Sequence, residues 1–253
     1  MDEMKRYREF LKDSLRKTID FRASDQHRGV AVPPLQEDVD EGMSRVRLPE
    51  RESWSSVIHE IDLAVAMGNR RSRRNFNDEY LSLEELAFLL WATQGQRNPQ
   101  KQTPHFRTVP SAGARHSFET YLFIQRVENL AAGLYRYLPL SHELVFMAAA
   151  DSRSSTNLSR AVFGQQFVAG AAVVFVWTTV PYRMEWRYLQ AAHRVILLDA
   201  GHVCQNLYLA CEAIRAGTCA IAAYDQEAMD EFIGVDGQEQ FTIYLAPVGK
   251  YSS

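Results

Sequence analysis

The sequence predicts an α+β fold: a central mixed β-sheet flanked by helices, one of them long and covered on nearly every side. Three observations carry this. From Ser55 onward, β-branched and aromatic runs alternate with runs whose apolar residues recur at helical spacing. Two strand patterns, 118–125 and 133–137, are joined by a short connection, which makes them a pair within a sheet whose other strands are linked through helices. Finally, the stretch from Arg194 to Ala216 carries Val195, Ile196, Leu197, Leu198, Ala200, Val203, Leu207, Leu209, Ala210 and Ile214, which cover nearly every face of a helix. A second subunit is the expected cover for part of it, with Leu207 a candidate partner-facing position.

In chain order, residues 1–54 read as an N-terminal arm and 55–253 as one domain. The arm opens on a charged helical pattern, then turns polar and irregular, with Pro33, Pro34 and Pro49 as breakers and Phe21, Val32, Leu48 and Trp54 as anchors. Ser56 to Met67 has helical spacing closed by Gly68 and Asn69. Ser82-Leu83-Glu84-Glu85 is a capping box opening a helix with Leu86, Leu89 and Leu90 on its apolar face. Ala171 to Val180, ended by Pro181, reads as a buried central strand. The long helix is expected to end at Gly217, and Phe241 to Val248 is a last strand.

Composition narrows the classes of function. Of 253 residues, 46% are hydrophobic and 23% charged, enough apolar material for a core without disulfides. A net charge of −3 argues against a general nucleic-acid or anionic-membrane binder. The three cysteines, Cys204, Cys211 and Cys219, form no zinc-like spacing and no even framework, so no metal site is expected. With a charged N-terminus and no apolar run long enough to span a bilayer, a cytoplasmic protein is expected.

Three motifs carry chemistry. Asn69 to Phe76 holds Arg70, Arg71, Ser72, Arg73 and Arg74, with no acidic residue before Asp78. Guanidinium forks and a hydroxyl suit phosphate oxygens, although a solvated basic turn has the same composition. Arg107 to His116 brackets small residues between Pro110 and Gly113, which lets a backbone approach a flat ligand. Asp199 to Asn206 places His202, Gln205 and Asn206 in an otherwise apolar helix, where structural hydrogen bonds are the ordinary explanation.

In order and spacing, these motifs resemble the nitroreductase family. Arg70 to Phe76 resembles its R-x-S-x-R-x-F opening. Leu89 to Gly95 with Arg107 to Gly113, Gly133 to Tyr137, His193 to Leu207 and Gly249-Lys250 resemble runs of its azoline-oxidising, SagB-type branch. The resemblance spans about residues 54 to 250. It implies a nitroreductase-like α/β sandwich, dimeric through long central helices, with one FMN per interface cleft and NAD(P)H as a possible electron donor. It further implies that Arg70, Arg71, Ser72 and Lys250, beside Gly249, hold the phosphate and ribityl end. Arg74 would face the N1/O2 edge of the flavin ring, where reduction places negative charge. Pro110, Ser111, Ala112 and Gly113 would line the ring, partly from the partner subunit, and Thr218, Cys219, Ala220 and Ile221 would follow its other edge. The substrate would be a small molecule or a modified peptide.

One departure concerns chemistry. Where that branch carries a Lys-Tyr pair for proton abstraction, this chain has Arg187-Tyr188, and Asp199 and His193 replace a glutamate and a tyrosine. Arginine does not lose its proton at neutral pH, so azoline oxidation is not expected, whereas flavin binding is untouched. An FMN-dependent oxidoreductase is expected, with FMN binding without turnover, or peptide azoline oxidation, as the alternatives.

Overall fold

The computed structural model describes residues 3–97 and 106–252. In chain order the elements are α1 (Glu3–Phe10), β1 (Arg45–Arg47), α2 (Leu63–Asn69), α3 (Leu83–Gln94), β2 (Phe118–Ile124), β3 (Gly133–Leu138), β4 (Glu143–Ala149), α4 (Ser154–Ala161), β5 (Val173–Thr179), α5 (Tyr182–Tyr188), α6 (Ala192–Ala213), β6 (Ala216–Thr218), α7 (Gln226–Ile233) and β7 (Phe241–Lys250). The strands form one seven-stranded sheet in the order β1-β4-β3-β2-β5-β7-β6.

The α+β class holds, but every strand pair in this sheet is antiparallel rather than mixed. The reason lies in the crossover through α6. It carries the chain from β5 to β6 two positions along, and β7 returns between them antiparallel to both. An interleaved strand–helix order therefore produces no adjacent parallel pair.

Both faces of the sheet are covered, so the central strands are buried throughout and alternate between two cores. Leu122, Phe175 and Trp177 face α3 and α6, packing with Leu86, Leu90, Val203 and Leu207. Tyr121, Phe123, Val174 and Val176 face the other way, toward Leu158 of α4 and Met229 and Ile233 of α7. Leu207 is fully buried within its own chain, so it is not a partner-facing position. The exposed stripe of α6 instead carries Leu197, Leu198, Gly201 and Gln205.

Two helix ends differ from the sequence expectation. Residues 57–62 are not helical; Asp62 accepts hydrogen bonds from the Ala64 and Val65 amides and starts α2 there. Gly68 and Asn69 are the last residues of that helix rather than its cap. At the other site, Gly217 lies inside β6, and α6 ends at Ala213 with Ile214 as its cap and Arg215 at φ +52°. The capping box at Ser82 and Glu85 is present as expected.

Residues 33–38 form a strap across the domain, held by buried arginines. Arg115 donates to the Pro33 carbonyl, Arg107 to that of Leu35, and Arg136 to those of Glu37 and Asp38. Arg183 is itself fully buried and bridges Glu37 and Glu119. The strap then leads into β1 on the sheet edge. Among the described residues, no helix is long and apolar enough to cross a membrane.

Candidate functional site

Two clusters of the expected site residues form, at different levels of α6. The first surrounds Arg70 to Asn75, which follow α2 and run beside β6. The Arg73 amide donates to the Thr218 carbonyl, and Ser72 forms a parallel bridge with Thr218. Arg73 is used structurally. Its guanidinium lies 3.9 Å from the centroid of the Tyr251 ring and 3.7 Å from Glu212, and any side chain at Gly217 would collide with it. Arg71 donates to its own turn, at the Gly68 and Arg70 carbonyls, while Arg70 stands over the Tyr208 ring and Arg74 over Phe167. Among the described residues, no carboxylate pairs with Arg70, Arg71 or Arg74. A cleft of 360 Å³ opens here, lined by Arg71 to Asn75, Tyr251 and Ser252.

Thr218 to Ile221 run on beside this turn, but Thr218, Cys219 and Ile221 are buried and none of the four lines the cleft. Thr218 donates through its hydroxyl to the Pro247 carbonyl, and Ile221 pairs with Leu245. Cys219 is buried. Gly249 packs against Phe76, where a Cβ would come within 3.1 Å of that side chain. Lys250 lies next to this segment through its backbone, whose carbonyl accepts from Asn77. Its ammonium, however, is bonded to Glu85 and to the Ile214 carbonyl (2.7 Å), so it is already occupied.

The second cluster surrounds Pro110 to Gly113. The Ala112 amide donates to Asp199 (3.1 Å), and the Ser111 hydroxyl accepts from the His116 amide (2.9 Å). Burial raises the Asp199 carboxyl, against the opposing effect of the hydrogen bonds from Ser111 and Ala112. Gly113 sits at φ +59°, and a Cβ there would stand 2.6 Å from the Tyr188 hydroxyl and 3.1 Å from Arg187. The pair Arg187-Tyr188 thus lies directly on this turn, with the guanidinium over the tyrosine ring. Leu189, which follows, has φ +49° and ψ −136°, a region that non-glycine residues rarely occupy.

Within one chain the two clusters line different cavities. Asp199 and Tyr208 anchor them, nine residues apart on α6, or about 13 Å along its axis. Of the polar residues on that helix, Asn206 donates to the Ala92 carbonyl and is structural, whereas His202 and Gln205 are exposed. Burial pushes the Cys204 thiol up to about 12 and holds the Cys211 thiol well above its ordinary value, so neither is a ready nucleophile. Among the described residues, no cluster of metal-ligating side chains forms.

Sequence reasoning missed Tyr208. Its hydroxyl sits 3.0 Å from Ser72 Oγ and accepts from the Ala220 amide at 2.8 Å. The available signal was a polar-tipped ring within an aliphatic helical run, a residue that needs a partner when half-buried.

Comparison with known proteins shows the family of the chain. The nitroreductase family model matches residues 67–250. A protein of Methanocaldococcus jannaschii with a provisional nitroreductase name is 30% identical over 193 residues, covering 76% of this chain and 93% of its own. A crystal structure from Ralstonia eutropha, also provisionally a nitroreductase, superposes with a TM-score of 0.69 at 25% identity, over 85% of this chain and 93% of that one. A chain of the Escherichia coli microcin synthetase complex with bound truncated pro-microcin shares the fold, with a TM-score of 0.61 at 20% identity over 97% and 94% of the two chains. The chain belongs to the nitroreductase family.

Proposed function

We propose that this protein is an FMN-dependent oxidoreductase that passes electrons from a nicotinamide or organic donor to a small acceptor, acting as a cytoplasmic homodimer. The observation that carries the reading is a single turn bearing Arg70, Arg71 and Arg74 without carboxylate partners, beside the Ser72 hydroxyl and an open cleft. Unpaired guanidinium groups grouped in this way favour an anion, and their forked donors match phosphate oxygens. The residues present therefore fit a phosphate-bearing group.

On this reading, Arg70, Arg71 and Ser72 hold the phosphate and ribityl end, and Arg74 faces the pyrimidine edge of the ring. Thr218, Cys219, Ala220 and Ile221 run on beside this turn. Lys250 joins the phosphate only by leaving Glu85 and the Ile214 carbonyl. Bound FMN supplies the two-electron acceptor and donor chemistry. Pro110, Ser111, Ala112 and Gly113 of the partner subunit close the site, in keeping with the separation of the two clusters along α6. Tyr188 is placed to hold or donate a proton at its hydroxyl, while Arg187 stays cationic and can attract an anionic substrate.

A second reading, dehydrogenation of an azoline-bearing peptide, has Tyr188 in its favour and Arg187 against it. Wild type is expected not to oxidise such a peptide; activity in wild type contradicts the role given to Arg187.

The test is flavin binding. FMN should co-purify at about one per subunit, and anaerobic NAD(P)H should bleach it. Replacing Arg70 and Ser72 with alanine should remove charge-assisted bonds of about 1.5–3 kcal/mol each. Wild-type affinity in the double variant, measured by fluorescence titration, rules out the phosphate assignment.

A further inference from the structure

We infer that Tyr208 is a positioning residue that fixes Ser72 as a hydrogen-bond donor to a phosphate monoester, through a relay that starts at the Ala220 amide. The inference rests on the flavin-phosphate reading above and assigns a role to a residue outside the arginine motif.

The argument is one of donors and acceptors. A phenol has one proton and accepts through its oxygen lone pairs. Tyr208 Oη already accepts from the Ala220 N–H at 2.8 Å. Its remaining short contact is Ser72 Oγ at 3.0 Å. Of the two hydroxyls, the phenol is the more acidic and so the better donor, and an accepted N–H bond polarises it further. The Arg70 guanidinium stands over the Tyr208 ring at 5.3 Å and holds the ring against the arginine turn. The Tyr208 proton therefore points to Ser72, and Ser72 must turn its own proton elsewhere. Ser72 is exposed and lines the cleft beside Arg71 and Arg74, so that proton is available to an anionic oxygen there.

This arrangement also ties three elements together. Ala220 belongs to the segment after β6, Tyr208 to α6, and Ser72 to the turn after α2. The hydroxyl of Tyr208 holds the serine at a fixed place relative to both. Without it, Ser72 keeps a hydroxyl but loses its orientation.

The experiment compares FMN with riboflavin, which lacks the phosphate. Dissociation constants are measured by fluorescence quenching for wild type, Tyr208→Phe, Ser72→Ala and the double variant. Tyr208→Phe keeps the ring under Arg70 and should weaken FMN about tenfold, with riboflavin changed less than about twofold, the loss of one oriented charge-assisted bond. Ser72→Ala should lower the FMN-to-riboflavin preference by at least as much, and the double variant should bind no worse than Ser72→Ala alone. Unchanged FMN affinity in Tyr208→Phe, equal weakening of both flavins, or multiplicative losses in the double variant overturn the relay while leaving the cofactor reading in place. Wild type that binds neither flavin overturns both. Should Tyr208→Phe fail to fold, as judged by circular dichroism, the exposed Ser72→Ala variant decides alone, and an unchanged preference overturns the proposal.

Discussion

At Gly113 two requirements fall on one residue: a left-handed backbone at φ +59° and an open space that the Tyr188 hydroxyl occupies. Gly113→Ala should therefore destabilise the protein by roughly 1–3 kcal/mol. Adding Tyr188→Phe should recover part of that loss by removing the atom the new methyl meets. Denaturant midpoints of the two single variants and the double test this; strict additivity would show that the methyl and the hydroxyl do not meet. Three residues on, His116 is held down to about 3, by burial first and then by the Arg107 and Arg115 cations. An unfolded chain takes up this proton near the usual 6.5, the folded one only near 3. Its contribution to stability is thus full above pH 6.5 and is lost as pH falls toward 3. Half-buried His142, lowered by desolvation, acts with the same sign. Asp199, raised by burial, acts with the opposite sign, and its contribution is lost as pH rises through its folded pKa. Wild type should lose stability on acidification below pH 6.5, and His116→Gln should flatten that slope; an unaltered slope in urea titrations would show that His116 is not responsible.

At the scale of elements, Glu85 joins three of them. One carboxylate oxygen accepts from the Ser82 amide at the start of α3, and the other accepts from Lys250 at the end of β7. Lys250 in turn donates to the Ile214 carbonyl at the end of α6. Glu85→Ala removes half a capping box and leaves a half-buried ammonium without its counter-charge, a loss of about 3 kcal/mol. Thermal melting should show a large downward shift, and a small shift would mean that water replaces the carboxylate. This junction also illustrates what was legible in the sequence. The capping box was readable because its partners lie three residues apart, and β2, β3, β5, β7 and α6 were readable from runs of apolar residues. The partner of Lys250 was not, since Glu85 is 165 residues away. The pairing of β7 between β5 and β6 was hidden for the same reason, because strand order is a property of the whole chain. Local competition explains the misjudged helix ends. Asp62 captures two amides and starts α2 late, and Ala216 to Thr218 pair with β7, which takes Gly217 out of any cap. The arginine turn and the Pro110–Gly113 turn were legible as motifs, whereas Tyr208 reaches Ser72 across 136 positions and leaves no local pattern.

For the whole molecule, the arrangement of the two clusters sets the expected assembly. One chain holds its arginine turn and its Gly113 turn beside Tyr208 and Asp199, nine residues apart on α6, and on the reading proposed above a partner chain brings its own Gly113 turn to the arginine turn. The surface of α6 that would receive it carries Leu197 and Leu198, which are 46% and 52% exposed, with Gly201 and Gln205 following along the helix. Leu63, Val65 and Met67 of α2 are likewise exposed. Isolated exposed leucines are ordinary, but a stripe on the longest helix is the kind of surface that a two-fold interface buries on both partners. Gly201 offers a clean test, because a Cβ there meets nothing within 4 Å in its own chain. Gly201→Glu should leave the subunit folded, and replacing an exposed helical glycine should favour the helix by up to about 1 kcal/mol. In a two-fold interface the same glutamate would be buried against apolar surface and near its own symmetry mate, which disfavours association strongly. Light scattering with size exclusion should therefore report one chain's mass for Gly201→Glu and two for wild type. FMN should be lost with the dimer, since the second half of the site leaves with the partner. A dimeric Gly201→Glu variant would place the interface elsewhere, and a folded monomer that binds FMN at wild-type affinity would show that one chain completes the site alone.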